Sequence, residues 1–312
     1  MSPTTPLILF AIKASLALMV FAVGLQATPR DATHLLRHPG LLARSILSMN
    51  VVMPLLAVWA AIVFDLHPAV KVALVSLAMS PVPPFLPGKA LKAGGGASYT
   101  VGLLAMASLL SVIVVPASVW LLGKLFAVAF NMSPSVVARL VAASVLVPLA
   151  AGIAVHRYMP AAATRIVKPL RLVGTVVLIG GIVPLCIGTW PDIKTLLGNG
   201  TLLAIIALTF VGLAIGHILG GPADEDRTVL ALATASRHPA VAIAIASTIS
   251  AEGKLVVAAV LLDLVVSTVV SAPYTAQSKR HALARTSMRY TSSPVTRRSP
   301  TLHVERSSDR RR

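Results

Sequence analysis

The sequence predicts an all-α fold, a polytopic membrane bundle of about nine transmembrane helices, and three observations carry the prediction. Of the 312 residues only 12% are charged while 56% are apolar, and the mean hydropathy is +0.85. Soluble domains run at roughly 25% charged and 45–50% apolar, so a water-facing surface cannot be built from this inventory. Apolar windows of about 20 residues, the length that crosses a bilayer as a helix, recur through residues 1–277. Runs such as Leu202–Leu219 and Leu255–Val270 are continuously apolar. They lack the apolar–polar alternation over about 10 residues that marks a transmembrane barrel strand.

In chain order the expected spans are Leu7–Gln26, Leu41–Phe64, Pro68–Phe85, Ala97–Gly123, Ser135–His156, Pro169–Trp190, Gly200–Leu219, Thr228–Ile249 and Leu255–Gln277. The first reads as a retained helix, because its leader Met1–Pro6 has no basic side chain and a secretory signal needs one. Lys13 within it either snorkels to the interface or faces the bundle. Turn signals separate the rest: Asp65–Pro68, Asn131–Pro134, Trp190–Asp192, Gly220–Pro222 and Ala251–Gly253. No soluble domain fits between any two spans, so residues 1–277 form one transmembrane domain. Residues 278–312, rich in Arg, Ser, Thr and Pro, are expected to be a disordered basic tail.

Charge placement gives orientation and removes a competing reading. The net charge of +17 invites nucleic acid as a partner, yet ten of the 27 Lys and Arg residues follow Ala276 and most others sit in short loops. One set of alternate connections holds Arg30, Arg37, Arg44, Lys89, Lys92, Arg157, Arg165, Lys168, Arg171, Arg227 and the tail. The opposite set holds only Lys71, Lys124, Arg139, Lys194 and Lys254. The richer side is therefore expected in the cytoplasm, with the N-terminus outside, in a cell (inner or plasma) membrane. Nucleic acid is not an expected partner. The basic tail would instead touch anionic lipids. The single cysteine, Cys186, allows no intrachain disulfide, and neither a metal nor another cofactor is expected. Without an intramembrane Ser/His/Asp or metal-ligand spacing, the chain does not read as an enzyme.

Two spans cannot be regular helices. The third ends in Ser80-Pro81-Val82-Pro83-Pro84-Phe85-Leu86-Pro87-Gly88, where proline removes helical hydrogen bonds and clashes with the preceding turn. The eighth contains Ala235-Ser236-Arg237-His238-Pro239 between long apolar stretches. The interruptions lie five spans apart, so the two helices run in opposite directions, as in an inverted repeat of four plus four spans around a connector. Paired broken helices in inverted halves point to a transporter's binding site. Arg237 falls near mid-membrane, where an unpartnered charge costs about 2.5–3.5 kcal/mol on insertion scales. Its candidate partners are the broken-helix carbonyls, a substrate anion and Asp263, the acid of the ninth span. His238 can carry a proton near neutral pH.

The order of these features resembles the bile acid:sodium symporter family. Met19-Val20-Phe21-Ala22-Val23-Gly24-Leu25 is similar to the family's M-x-G-M-G-L, and His38-Pro39, the mid-span Met53-Pro54, Gly95 and Pro116 follow in the family's order. Pro81 stands where the family has P-G-G, and Gly216-His217-Ile218-Leu219-Gly220 is similar to its G-Y-L-L-G. The resemblance implies two crossing broken helices that hold sodium and substrate, on a scaffold of ten spans of which this chain lacks the first.

The departures are as informative. Where the family's first crossing reads G-G-T-A-S-N, this chain has Val82-Pro83-Pro84-Phe85-Leu86-Pro87. Where the second reads E-x-G-x-Q-N, it has Ala233-Thr234-Ala235-Ser236-Arg237-His238. A sodium-site Gln corresponds to Met49, and of two helix hydroxyls Thr100 remains while the other is Leu104. Sodium is a hard cation that needs oxygen ligands, so the usual sodium sites are expected to be lost. The resulting expectation is a secondary transporter of small organic anions of the carboxylate type. Its substrate site would draw on Pro81, Pro84, Pro87, Thr100, Ser236, Arg237, His238 and Asp263, with proton coupling in place of sodium. The competing expectation is a non-transporting membrane sensor or partner-binding protein on the same scaffold.

Overall fold

The computed structural model describes residues 5–125, 134–246 and 253–292, and all regular structure among them is helical. Helix α1 (Thr5–Gly24) leads through two single turns, α2 (Pro29–Ala32) and α3 (His34–Arg37), into a rod. The rod consists of α4 (Pro39–Ile46), a π-helical turn (Leu47–Val52) and α5 (Met53–Val63). Then come α6 (Pro68–Met79), α7 (Leu86–Lys92) and the long α8 (Ala97–Leu125). A second rod joins α9 (Pro134–Val141), another π-helical turn (Ala142–Leu146) and α10 (Val147–Tyr158). The chain continues with α11 (Pro160–Gly188), α12 (Trp190–Leu196), α13 (Thr201–Leu219), α14 (Asp224–Thr234), α15 (Pro239–Ala246) and α16 (Gly253–Ser292).

Seven helices among the described residues are long and apolar enough to cross a membrane: Pro39–Val63, Ala97–Leu121, Ala138–Tyr158, Pro160–Gly188, Thr201–Leu219, Asp224–Ala246 and Gly253–Arg285. Two shorter apolar helices, Phe10–Gly24 and Pro68–Met79, hold the positions of the first and third expected spans. The predicted all-α polytopic bundle is what the chain forms. Lys13 lies on the exposed face of α1, as the snorkelling alternative requires.

Three boundaries differ from expectation. The sixth span starts at Pro160, not Pro169, and α11 carries Pro169 and Pro184 in its interior, which membrane helices tolerate. Helix resumes at Leu86 inside the proline-rich stretch, because Pro87 falls in the first turn of α7, where its missing N–H has no helical partner to lose. The tail expected to be disordered from Ser278 is instead helical through Ser292. Ala282, Leu283, Ala284 and Arg285 are good helix formers, and no Gly or Pro interrupts residues 278–292. This extension is held from outside: Arg285 pairs with Asp224 at 2.7 Å, and the Ala282 side chain packs on Gly94. The end of the expected eighth span, the turns at 131–133 and 251–252, and residues 293–312 lie outside the described residues.

Small residues set the tightest approaches. Helix α1 packs against α10 and α11, and a Cβ on Gly152 would sit 2.4 Å from the Phe21 carbonyl oxygen and 2.8 Å from the Gly24 Cα. Helix α13 packs on α14, and a Cβ on Gly216 would sit 2.5 Å from the Leu230 carbonyl oxygen. Without a hydrophobic drive between helices in lipid, such close backbone contact supplies the packing energy. Two groups of helices result. One contains α1, α10 and α11, and the other is built from α5, α6 and α13–α16.

Each π-helical turn ends two residues before a proline, Pro54 and Pro148. A proline ring clashes with the carbonyl four residues earlier and offers no N–H to it, and widening the turn relieves the clash. Met53 N–H consequently donates to the Ser48 carbonyl five residues back. The Met49 carbonyl would next take the N–H of residue 54, which is proline. It is left without a donor in its own helix.

Candidate functional site at the crossing of two broken helices

Helix α6 stops at Met79, and Ser80 caps it by donating its hydroxyl to the Leu77 carbonyl at 2.7 Å. Pro81, Pro83 and Pro84 then withhold the N–H groups that another turn would need. Helix α14 stops at Thr234, and α15 begins with Pro239. Proline disfavours helical geometry at the residue before it, so His238 leaves the helix and the break Ala235–His238 opens. Packing of α6 on α15 and of α7 on α14 makes the two broken helices cross in opposite directions, break against break.

The breaks are joined by backbone. The His238 N–H donates to the Pro81 carbonyl and to the Ser80 hydroxyl oxygen, both at 3.0 Å. Arg237, 8% exposed, extends from the same break. Its guanidinium donates through Nη1 to the Ser80 carbonyl at 3.3 Å and through Nη2 to the Met49 carbonyl at 2.9 Å. Both acceptors are explained by chemistry already described. Ser80 caps a helix whose C-terminus carries unsatisfied carbonyls and partial negative charge, and Met49 owes its free carbonyl to Pro54. The π-helical turn is tied to the crossing a second time, through a hydrogen bond between the Ser48 and Thr234 hydroxyls.

Of the sequence-predicted site residues, the structure brings together Pro81, Ser236, Arg237 and His238, all buried in the two breaks. Asp263, on α16, joins Arg237, Thr209 and Thr234 around a cavity of about 30 Å³, enough for a water molecule. Arg237 and Asp263 do not form an ion pair; among the described residues the ion pairs are Arg227–Asp224 and Arg285–Asp224. Carbonyl oxygens, not a carboxylate, meet the guanidinium. The remaining three residues are elsewhere. Pro84 lines a separate cavity beside α7, Pro87 is buried in the first turn of α7, and the Thr100 hydroxyl donates within its own helix to Gly96 at 2.6 Å.

Sequence reasoning missed Ser48, Ser80 and the Met49 carbonyl. The sequence comparison bears only on the Met49 side chain, which stands where the family has an amide. The signal for its backbone role is Pro54, five residues on. Two polar atoms of the crossing, Arg237 Nε and His238 Nδ1, are buried without a hydrogen-bond partner. His238 Nε2 faces the Ser144 hydroxyl at 3.5 Å, too long for a strong bond. The site therefore has a guanidinium held by two carbonyl oxygens, the oxygen type that suits a hard cation. Among the described residues no group of three or more His, Cys, Asp or Glu side chains could hold a metal ion.

A family model described as the sodium bile acid symporter family matches residues 14–189. Among curated proteins none matches the chain. The matched stretch runs from α1 through α11 and includes the first broken helix, and it ends before α13–α16, where Arg237 and Asp263 lie. It spans more than half of the chain, and the family it describes is one of transporters. This multi-pass membrane protein belongs to the sodium bile acid symporter family.

Proposed function

We propose that the protein is a secondary transporter of small organic anions, carboxylates in particular, in which Arg237 takes the place of a bound sodium ion. The observation that carries this reading is the guanidinium held by the Ser80 and Met49 carbonyls at the crossing of the broken helices. A guanidinium is always charged and would repel sodium from the same oxygens. The loss of the carboxylate at Ala233 and of the amide at Met49 supports the same conclusion. A fixed cation attracts an anionic solute without a cotransported metal ion, and protons on His238 or Asp263 would supply the coupling. In this reading nine spans are arranged as inverted halves in a cell membrane, with the N-terminus outside and the C-terminus cytoplasmic. The basic tail, residues 278–312, contacts anionic lipid.

Uptake of radiolabelled carboxylates into proteoliposomes, in sodium or in potassium buffer, tests the proposal. Uptake should be equal in the two buffers, fall at least tenfold in Arg237→Ala and recover in part in Arg237→Lys, since a buried charged hydrogen bond is worth about 1.5–3 kcal/mol. A strict sodium requirement, or indifference to Arg237→Ala in a folded variant, would sink the proposal. Absence of flux with every carboxylate would favour the non-transporting sensor instead.

A further inference from the structure

A second cavity, of about 240 Å³, lies between α1, α7, α11 and α16, at the boundary between the two helix groups. Lys89 and Lys92 reach it from α7, where a spacing of three puts them on one face, and Arg171 reaches it from α11. No Asp or Glu lines it. Arg171 Nη2 is buried there and has no hydrogen-bond partner. Lys89 donates one proton to the Ser271 hydroxyl, leaving the other two free. The two hydroxyls of the lining, Thr175 and Thr275, donate within their own helices to the carbonyls of Arg171 and Ser271. The free donors facing the space are the three cations. Met19, Val23 and Phe85 give the lining an apolar part.

A buried guanidinium nitrogen without an acceptor is costly unless something anionic completes it. Three cations with no acid among them leave the cavity with a charge of about +3. A monocarboxylate would neutralise one of them, and a doubly charged ligand would leave a single rim cation facing solvent. Arg is the side chain suited to a bidentate carboxylate contact, and the lysines can take a second carboxylate. We infer that this cavity binds a small dicarboxylate, one carboxylate on Arg171 and the other on Lys89 and Lys92, with the carbon chain against Met19, Val23 and Phe85. As a substrate site it rests on the proposed organic-anion transport, and as a binding site it stands alone.

The test is thermal unfolding of the full-length protein in phosphatidylcholine nanodiscs, titrated with succinate and with butyrate, a monocarboxylate of the same chain length. Succinate should raise the melting temperature saturably, with an apparent Kd at least about tenfold below that of butyrate, because each charged hydrogen bond is worth about that factor. Arg171→Gln should weaken succinate by about tenfold or more and abolish the preference over butyrate. Lys92→Gln, at the exposed rim, serves as a second variant that leaves the unliganded melting temperature unchanged while weakening succinate several-fold. Equal affinity for the two acids, or succinate binding unaffected by Lys92→Gln and Arg171→Gln, overturns the inference. So does stabilisation by added phosphatidic acid with succinate inert, which would make the cavity a lipid contact. The outcomes separate from those of transport. Carboxylate uptake without succinate preference removes this site and leaves the transporter, whereas saturable succinate binding with no uptake of any carboxylate removes the transporter and leaves the site.

Discussion

The missing N–H of Pro54 leaves the Met49 carbonyl without a donor in its own helix, and the Arg237 guanidinium bonds to that oxygen. The chain thus resolves two problems, a proline defect and a buried cation, by joining them. Replacing Arg237 by Ala leaves the Met49 and Ser80 carbonyls bare, so the variant should lose on the order of 2 kcal/mol of stability in detergent unfolding. A double-mutant cycle of Ser48→Ala and Thr234→Val should give a coupling of about 1 kcal/mol, the net value of one hydrogen bond. Outside the spans, Asp31 closes a capping box with Thr28 and accepts from Ser98 at the start of α8. Burial alone would raise its carboxyl, but the hydrogen bonds from Ser98 and Thr28 outweigh burial and hold it below its ordinary value of 3.8. A depressed folded value means its contribution is complete above the unfolded value and fades as pH falls through the folded one. Asp31→Ala should therefore lower the melting temperature at pH 7, and the gap from the parent protein should close below pH 3.8. A gap that persists unchanged at pH 3 would contradict this.

Helices in this bundle are positioned by where they can touch without side chains. The α1–α10 contact has Gly24 facing Gly152 with no room for a Cβ on either. Gly152→Leu should separate the helices and cost at least the 1–3 kcal/mol typical of overpacking, read as a lower melting temperature, whereas Gly180→Ala, with nothing within 4 Å, should be silent. The turn after α7 gives a finer example. Its left-handed residue is Gly94, with φ of 87°, and the following Gly95 N–H closes back on the Ala90 carbonyl at 2.9 Å. The same Gly94 leaves space for Ala282 of the α16 extension. Truncation after Ser292 should leave the melting temperature unchanged. Truncation after Gln277 should lower it, since it removes both the Ala282 contact and the Arg285–Asp224 pair.

For the whole molecule, the proposed orientation, argued from the distribution of Lys and Arg, puts the two termini on opposite sides of the membrane. Reporter fusions or protease-accessible tags at each end should find the N-terminus outside and the C-terminus in the cytoplasm. Two termini on one side would mean an even number of spans and would break the inverted halves. The basic cavity bears on the same point. Lys89, Lys92 and Arg171 belong to the richer of the two sets of loop-flanking cations, and the fold gathers these three around one space.

The class of fold was determined by the sequence alone, because in a bilayer each backbone polar group must be satisfied within its own segment. Long apolar runs then have only the helix available. The two breaks were equally legible, since proline acts through its immediate neighbours. What Arg237 bonds to was not legible. Met49 and Ser80 are 188 and 157 residues away from it along the chain, and only the crossing decides which orphan carbonyls are within reach. The helical extension to Ser292 was not legible for the same reason. Composition described residues 278–292 as a free chain, while Gly94 and Asp224, far upstream, provide the surface on which they remain helical. Local chemistry fixed where helices form and where they fail, and tertiary contact decided which of the groups left unsatisfied by those failures would meet.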